Sequence, residues 1–226
     1  MKKLQAILFD LDGTLLHSAP DFLLVINQML ATRALDQIQL VDIKYQVSNG
    51  ARAMVHHAFK NTLEAAELED VLEALKAEFL AGYCQQINKA SVLYPGVDQL
   101  LNFLGEHFIP WGIVTNKPEL YTTAIARHFT LDINASAIVC PDHVKHTKPD
   151  PEPLLLACQK MSVAPQNTWY VGDHLRDIQA GKAAGMLTIG CNYGYLNKEE
   201  KISDWNADYI VEHPDQITQL IKQHSD

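Results

Sequence analysis

Leu4-Gln5-Ala6-Ile7-Leu8-Phe9-Asp10-Leu11-Asp12-Gly13-Thr14 runs from an apolar segment straight into two aspartates, a glycine and a threonine. Leu4 to Phe9 has the length and composition of a strand buried on both faces, as inside a parallel sheet. Asp10 and Asp12 arrive where burial is expensive, so a cation or a partner group must compensate them. Ahead of the strand, Met1-Lys2-Lys3 superficially resembles the start of a signal peptide. The two aspartates interrupt that apolar stretch and no small-residue cleavage site follows, so a cytoplasmic protein is expected.

Beyond Thr14 the rhythm turns helical. Ser18 and Asp21 read as a capping pair opening a helix with Phe22, Ile26, Met29 and Leu30 on one face. Val55 and Phe59 follow an Asn49-Gly50 turn, and Leu68, Val71, Leu72, Leu75 and Phe79 repeat at the helical period. No strand signal appears before about Asn88, which predicts an all-helical insert of about four helices. Tyr94-Pro95-Gly96 ends it.

From there helices alternate with strands. Helices are expected around Val97–Leu104, Leu120–His128, Leu154–Met161 (after Asp150-Pro151), Ile178–Ala184 and Ile217–Ile221. Strands are expected at 111–115, 137–140, 168–171, 187–190 and, as an edge, 209–211. Such alternation implies a parallel sheet with helices on its faces. The fold class is therefore α/β: a Rossmann-like parallel-sheet core, residues 1–16 plus 92–226, with an inserted helical domain, residues 17–91.

The 226 residues are 47% apolar and 20% charged, ordinary for a globular protein. The net charge of −9 with no cluster of Lys and Arg argues against a nucleic-acid partner. No apolar run reaches the roughly 20 residues of a membrane span. Cys84, Cys140, Cys158 and Cys191 lie far apart and suit reduced thiols rather than a metal or disulfide framework. Leu15 stands where an EF-hand loop beginning at Asp10 needs glycine, and no P-loop is present. The adjacent His56 and His57 point to different sides of a helix and do not make a metal pair.

In open parallel sheets, ligands sit beyond the carboxyl ends of the strands. The residues there are Asp10 and Asp12 after the first strand, Thr115, Asn116 and Lys117 after the second, and Gly172, Asp173 and Asp177 after the one ending at Val171. Lys148 lies in the loop leading into the helix at Pro151. Several carboxylates close together repel each other and call for a cation, and an all-oxygen set favours magnesium over zinc. Thr115 and Lys148 suit phosphate oxygens. A carboxylate can attack phosphorus to give an acyl phosphate, and Asp12 is placed to protonate the leaving alcohol and then activate water. Singly, Thr115 could cap the next helix, Asp177 could be a turn former and Lys148 a surface charge. Their convergence is what points to chemistry.

Asp-Leu-Asp-Gly-Thr at 10–14, Val-Thr-Asn-Lys-Pro at 114–118, Lys-Pro-Asp-Pro-Glu-Pro at 148–153 and Gly-Asp-His-Leu-Arg-Asp at 172–177 resemble the four motifs of haloacid dehalogenase-type phosphatases, in order and across essentially the whole chain. The resemblance implies that Asp10 is the nucleophile and Asp12 the acid/base. Thr115 and Asn116 would bind the transferring phosphoryl group, with Lys148 neutralising its charge. Asp10, the Asp12 carbonyl and Asp173 would hold Mg2+, supported by Asp177. The helical insert would be a cap. His17 and His174 depart from the family's usual residues at those positions.

Further stretches, 48–54, 140–145 and Tyr193-Gly194-Tyr195 to His213-Pro214, look like the N-acetylmuramic acid 6-phosphate phosphatases of cell-wall recycling, themselves similar to phosphoglycolate phosphatases. This implies a small phosphorylated metabolite as partner and a monomer or homodimer, with Arg52 offering its fork to a substrate carboxylate. A sugar-phosphate mutase and a receiver-like signalling module share parts of the site. A receiver is smaller, lacks the insert and should lack a base beside its acyl phosphate. A dehalogenase would have no use for Asp12 or for magnesium.

Overall fold

The computed structural model describes residues 4–62, 64–196 and 199–225. The chain forms two compact units, Met1–Leu16 with Leu93–Asp226, and His17–Val92.

The first unit is built on a six-stranded sheet. Its strands are β1 (Ala6–Phe9), β4 (Trp111–Val114), β5 (Ala137–Val139), β6 (Thr168–Gly172), β7 (Leu187–Cys191) and β8 (Tyr209–Val211), in the order β5-β4-β1-β6-β7-β8. Every pairing is parallel, with Leu8 of β1 facing Gly112 of β4 on one side and Tyr170 of β6 on the other. The fully buried Ala-Ile-Leu-Phe of β1 thus occupies the interior position its composition predicts. Two-residue segments β2 (Leu16–His17) and β3 (Val92–Leu93) form a separate ribbon that the sequence did not signal.

Helices α5 (Val97–Glu106), α6 (Glu119–His128), α7 (Leu131–Asn134), α8 (Glu152–Met161), α9 (Leu175–Ala183) and α10 (Pro214–Ser225) belong to the same unit. Side chains alternate across β1. Leu8 joins Val114, Val139, Leu154, Ala157 and Tyr170 in one apolar layer with α8 and α9, and Phe9 meets Trp111 edge-on at 6.3 Å in the other. The chain starts in the sheet's middle, builds outward through β4 and β5, then returns to the far side of β1 with β6. That reversal puts the carboxyl ends of β4, β1 and β6 at a topological switch point, where α/β sheets bind ligands.

The second unit is helical: α1 (Ala19–Ala31), α2 (Leu40–Ile43), a 3-10 stretch over Lys44–Asn49, α3 (Gly50–Phe59) and α4 (Ala65–Gln86). In α4 Leu68, Leu72, Leu75, Phe79 and Tyr83 are buried, whereas Val71 faces outward, so the apolar stripe is narrower than the sequence reading had it. Phe22, Phe79 and Tyr83 pack together, Phe22 and Tyr83 with ring centroids 4.7 Å apart.

The expected Ser18–Asp21 capping pair does not form. Ser18 makes no side-chain cap bond, and the fully buried Asp21 instead accepts hydrogen bonds from the backbone of Asn88, Ala90 and Ser91 and from Ser91 Oγ. The carboxylate ties the start of α1 to the chain leaving α4, a long-range use that local spacing could not reveal.

Among the described residues no helix is long and apolar enough to cross a membrane. The four cysteines are free thiols.

Candidate active site

At the switch point the strands deliver carboxylates into the buried interior. Asp10 follows β1, Asp173 follows β6, and Asp177 lies in the first turn of α9. All three are buried, and each offers an oxygen within 4.8 Å of the others. Backbone bonds fix the approach: Asp10 N–H donates to Val171 O at 2.9 Å, and Thr115 N–H to Val139 O at 3.0 Å.

Lys148 is the cation of this cluster, and at 4% exposure it is not the surface charge its loop position allows. Its Nζ lies 2.8 Å from Asp10 Oδ1, 2.8 Å from Asp177 Oδ1, 2.9 Å from the Val114 carbonyl and 2.8 Å from the Tyr170 hydroxyl. Four neighbours exceed three N–H donors, and Tyr170 resolves the excess. Its hydroxyl also reaches Val114 O at 3.0 Å and Asp177 Oδ1 at 3.1 Å, so it can give its proton there while accepting from the lysine. Burial pulls the Lys148 amine down, but the Asp10 and Asp177 carboxylates outweigh it and leave it raised.

One lysine cannot balance three carboxylates. Burial, reinforced by Asp177 and Asp12, pushes Asp10 up to about 6 despite Lys148. Burial also drives Asp173 well above the carboxylate range, helped by Asp10 and Asp177. Asp173 Oδ2 accepts from Tyr195 N at 2.7 Å, but its buried Oδ1 has no hydrogen-bond partner. Gly13 and Gly194 crowd this carboxylate so closely that a Cβ at either would overlap it, and Gly13 also needs its φ of +88°. A buried oxygen without a donor, in an all-oxygen set carrying excess negative charge, fits a hard divalent cation. Asp10, Asp173 and Asp177 could hold it.

The other predicted residues of the core unit fall around this centre. Thr115 is buried, and its Oγ1 accepts from Lys117 N at 3.2 Å; it does not cap α6, whose N-cap residue is Pro118. Asn116 was expected to bind phosphoryl oxygens, but both ends of its side chain are spent on the backbone of Lys148. Its Nδ2 donates to Lys148 O at 3.0 Å and its Oδ1 accepts from Lys148 N at 3.2 Å. Asp12 meets the ammonium of Lys117, whose Nζ is 3.2 and 3.1 Å from its two oxygens. Asp177 Oδ2 also accepts from His174 N at 3.1 Å, closing the N-terminus of α9. Burial, with Arg176 beside it, lowers His174 to about 4, so its ring is neutral at pH 7. In the helical unit, burial, with Lys44 second, lowers His17 as well.

Arg52 belongs to the helical unit. It lies on α3 and pairs with Glu69 at 2.7 Å and Glu73 at 3.4 Å of α4, all three largely exposed.

The sequence reading missed Tyr170, the Lys117–Asp12 contact and the Tyr195 amide on Asp173. Tyr193-Gly194-Tyr195 follows β7 at the same sheet edge, so the rule that found Thr115 could have singled it out.

The haloacid dehalogenase-like hydrolase family model matches residues 7–191. An N-acetylmuramic acid 6-phosphate phosphatase of Pseudomonas putida is 42% identical over 219 residues, covering 97% of this chain and 96% of that protein. A phosphoglycolate phosphatase of Xanthomonas campestris is 40% identical, covering 94% of each. A crystal structure described as a predicted phosphoglycolate phosphatase from Haemophilus somnus superposes with a TM-score of 0.84 at 31% identity, covering 97% of this chain and 99% of that one. The chain therefore belongs to the haloacid dehalogenase-like hydrolases, among their phosphatases.

Proposed function

We propose that this protein hydrolyses a small phosphate monoester through an aspartyl-phosphate on Asp10, with Mg2+ held by Asp10, Asp173 and the backbone carbonyl of Asp12, and with Asp177 supporting that set. The single observation that carries this reading is the buried Asp10–Lys148–Asp177 cluster beside Asp173, whose Oδ1 lacks a donor. When bound, the cation would screen the repulsion between an anionic nucleophile and an anionic ester.

The chain's own groups account for the rest. An Asp10 oxygen attacks phosphorus; the phosphorus–oxygen ester bond breaks, and its electron pair leaves with the alcohol oxygen, which takes a proton from Asp12. Water then gives a proton to Asp12 and attacks phosphorus, the Asp10–phosphorus bond breaks, and inorganic phosphate departs. Lys148 spans nucleophile and phosphoryl group and offsets charge on both. Thr115 Oγ1 and the Asn116 backbone N–H bind the phosphoryl oxygens. The Asn116 side chain contributes indirectly, by holding Lys148.

The substrate assigned first is N-acetylmuramic acid 6-phosphate, supported by the name and identity of the Pseudomonas putida relative. Phosphoglycolate is the second reading, supported by the Xanthomonas campestris relative at nearly the same identity. Recognition of the muramic carboxylate falls to Arg52, whose exposed pairs with Glu69 and Glu73 are weak enough to exchange. The helical unit acts as the cap, and the protein works in the cytoplasm as a monomer or homodimer.

The test is phosphate release with Mg2+ from both esters, compared by kcat/KM. Preference for the amino sugar supports the first assignment and preference for phosphoglycolate the second. Full rates in excess EDTA would sink the metal assignment, and chloride release from a 2-haloacid would reopen the reaction class.

A further inference from the structure

We propose that Lys117 is the positioning residue for Asp12, fixing the carboxylate that hands a proton to the leaving alcohol and then takes one from water. The inference rests on the reading of Asp12 as acid/base and adds a residue to which that reading gave no role.

A carboxylate on a turn past a strand end has two side-chain torsions to settle, yet it must meet the leaving oxygen and later the water along nearly the same line. Lys117 settles them. Its Nζ approaches both Asp12 oxygens, at 3.2 and 3.1 Å, and the lysine side chain is only 6% exposed, so water competes little for it. Lys117 is itself anchored on both sides of its Cα. Its backbone N–H donates to Thr115 Oγ1 at 3.2 Å, and its carbonyl accepts from Thr122 Oγ1 at 3.1 Å. The ammonium is therefore carried by the strand-to-helix turn that also carries the phosphoryl-binding threonine.

Lys148 does not share this task. Its three donors are already taken up within the cluster of Asp10, Asp177, Val114 and Tyr170. The two lysines divide the acids between them, Lys148 serving the nucleophile and Lys117 the proton carrier.

A misplaced proton carrier hurts where the leaving group needs a proton and spares the step that does not. The experiment compares wild type, Lys117→Met, Lys117→Arg and Asp12→Asn at saturating Mg2+. Substrates are p-nitrophenyl phosphate, whose phenolate leaves without help, and the better of the two alkyl esters. With p-nitrophenyl phosphate, Lys117→Met should keep the rate of the first-turnover burst while steady turnover slows by roughly 10- to 100-fold. With the alkyl ester, the first turnover should slow by the same order, with KM within about twofold and Lys117→Arg recovering most of the loss.

Equal slowing of burst and steady state on both substrates would reduce Lys117 to a structural prop and overturn the proposal. A raised KM at unchanged kcat would make it a substrate contact, which overturns it too. Asp12→Asn separates the two levels of inference. If it shows the split pattern and Lys117→Met does not, only the Lys117 proposal falls. If Asp12→Asn keeps wild-type rates, the acid/base reading falls and takes this with it. Should Lys117→Met not fold, Lys117→Gln carries the same comparison.

Discussion

In the helical unit the buried carboxylate of Asp21 accepts four hydrogen bonds, from Asn88 N, Ala90 N, Ser91 N and Ser91 Oγ, at 2.5 to 3.2 Å. In the core unit Asp173 is equally buried, accepts one, from Tyr195 N, and leaves Oδ1 with none. The first arrangement settles the cost of burying a charge inside the chain itself. The second leaves it unsettled, and Asp10 and Asp177 beside it add repulsion. A buried carboxylate whose lone pairs are all met holds structure, and one kept short of donors is open to a ligand.

The contrast breaks most visibly at Asp10. Asp10→Asn should lower phosphate release by roughly four orders of magnitude or more while leaving the far-ultraviolet circular dichroism unchanged. Near-normal rates would show that the unmet acids serve something other than this chemistry. Asp21→Ala should do the reverse, destabilising by about 3 kcal/mol or more in urea titrations through four stranded donors. Its kcat, measured well below the melting transition, should stay within about threefold.

Proton competition sharpens the same point. Burial raises Asp10 to about 6 and Asp173 well above the usual carboxylate range, so both protonate more readily in the folded protein than in the unfolded chain. A cation must displace those protons. Magnesium affinity should therefore fall as pH drops through about 6, by roughly tenfold per unit for each proton displaced, as calorimetry at several pH values would register. For the metal-free protein the sign is the opposite of a salt-bridged acid: Asp10 lowers stability as pH rises from about 4 through 6, and Asp173 acts in the same direction. Asp173→Asn, which removes the charge, should accordingly raise metal-free stability by about 1 kcal/mol while abolishing the response to magnesium. A large loss of stability instead would place Asp173 with Asp21 on the structural side.

The smallest effect belongs to Arg52. Its pairs with Glu69 and Glu73 are exposed, so Arg52→Ala should leave the denaturation midpoint where it is. It should cut kcat/KM for N-acetylmuramic acid 6-phosphate while sparing p-nitrophenyl phosphate. Equal losses on both would remove Arg52 from recognition.

Much of this was open to reading along the chain. The run of Leu4 to Phe9, the helix–strand alternation after Gly96 and the polar residues at the strand ends define the parallel sheet and bring Asp10, Thr115, Lys148, Asp173 and Asp177 to one edge, because strand direction alone aligns them. What stayed hidden depends on partners far off in sequence. Asp21 looks like a cap from its neighbours, and only the return of the chain at Asn88 to Ser91 makes it a clamp. Tyr170 looks like one more apolar strand residue until its hydroxyl is seen under Lys148. The two-residue strands β2 and β3 are too short for any periodicity, and Val71 fits a helical repeat whose buried stripe turned out one residue narrower.

The side-chain amide of Asn116 does to Lys148 what a neighbouring strand would, offering one acceptor and one donor to a single residue's backbone. It splices the end of β4 to a loop thirty-two positions later, past the last rung of the sheet. Everything strung between the two ends of that splice, including α6, α7 and β5, is then a detour whose length the lysine does not feel. Residues could be added at the exposed turn around Asn134, between α7 and β5, and the ammonium would still arrive at Asp10 in register.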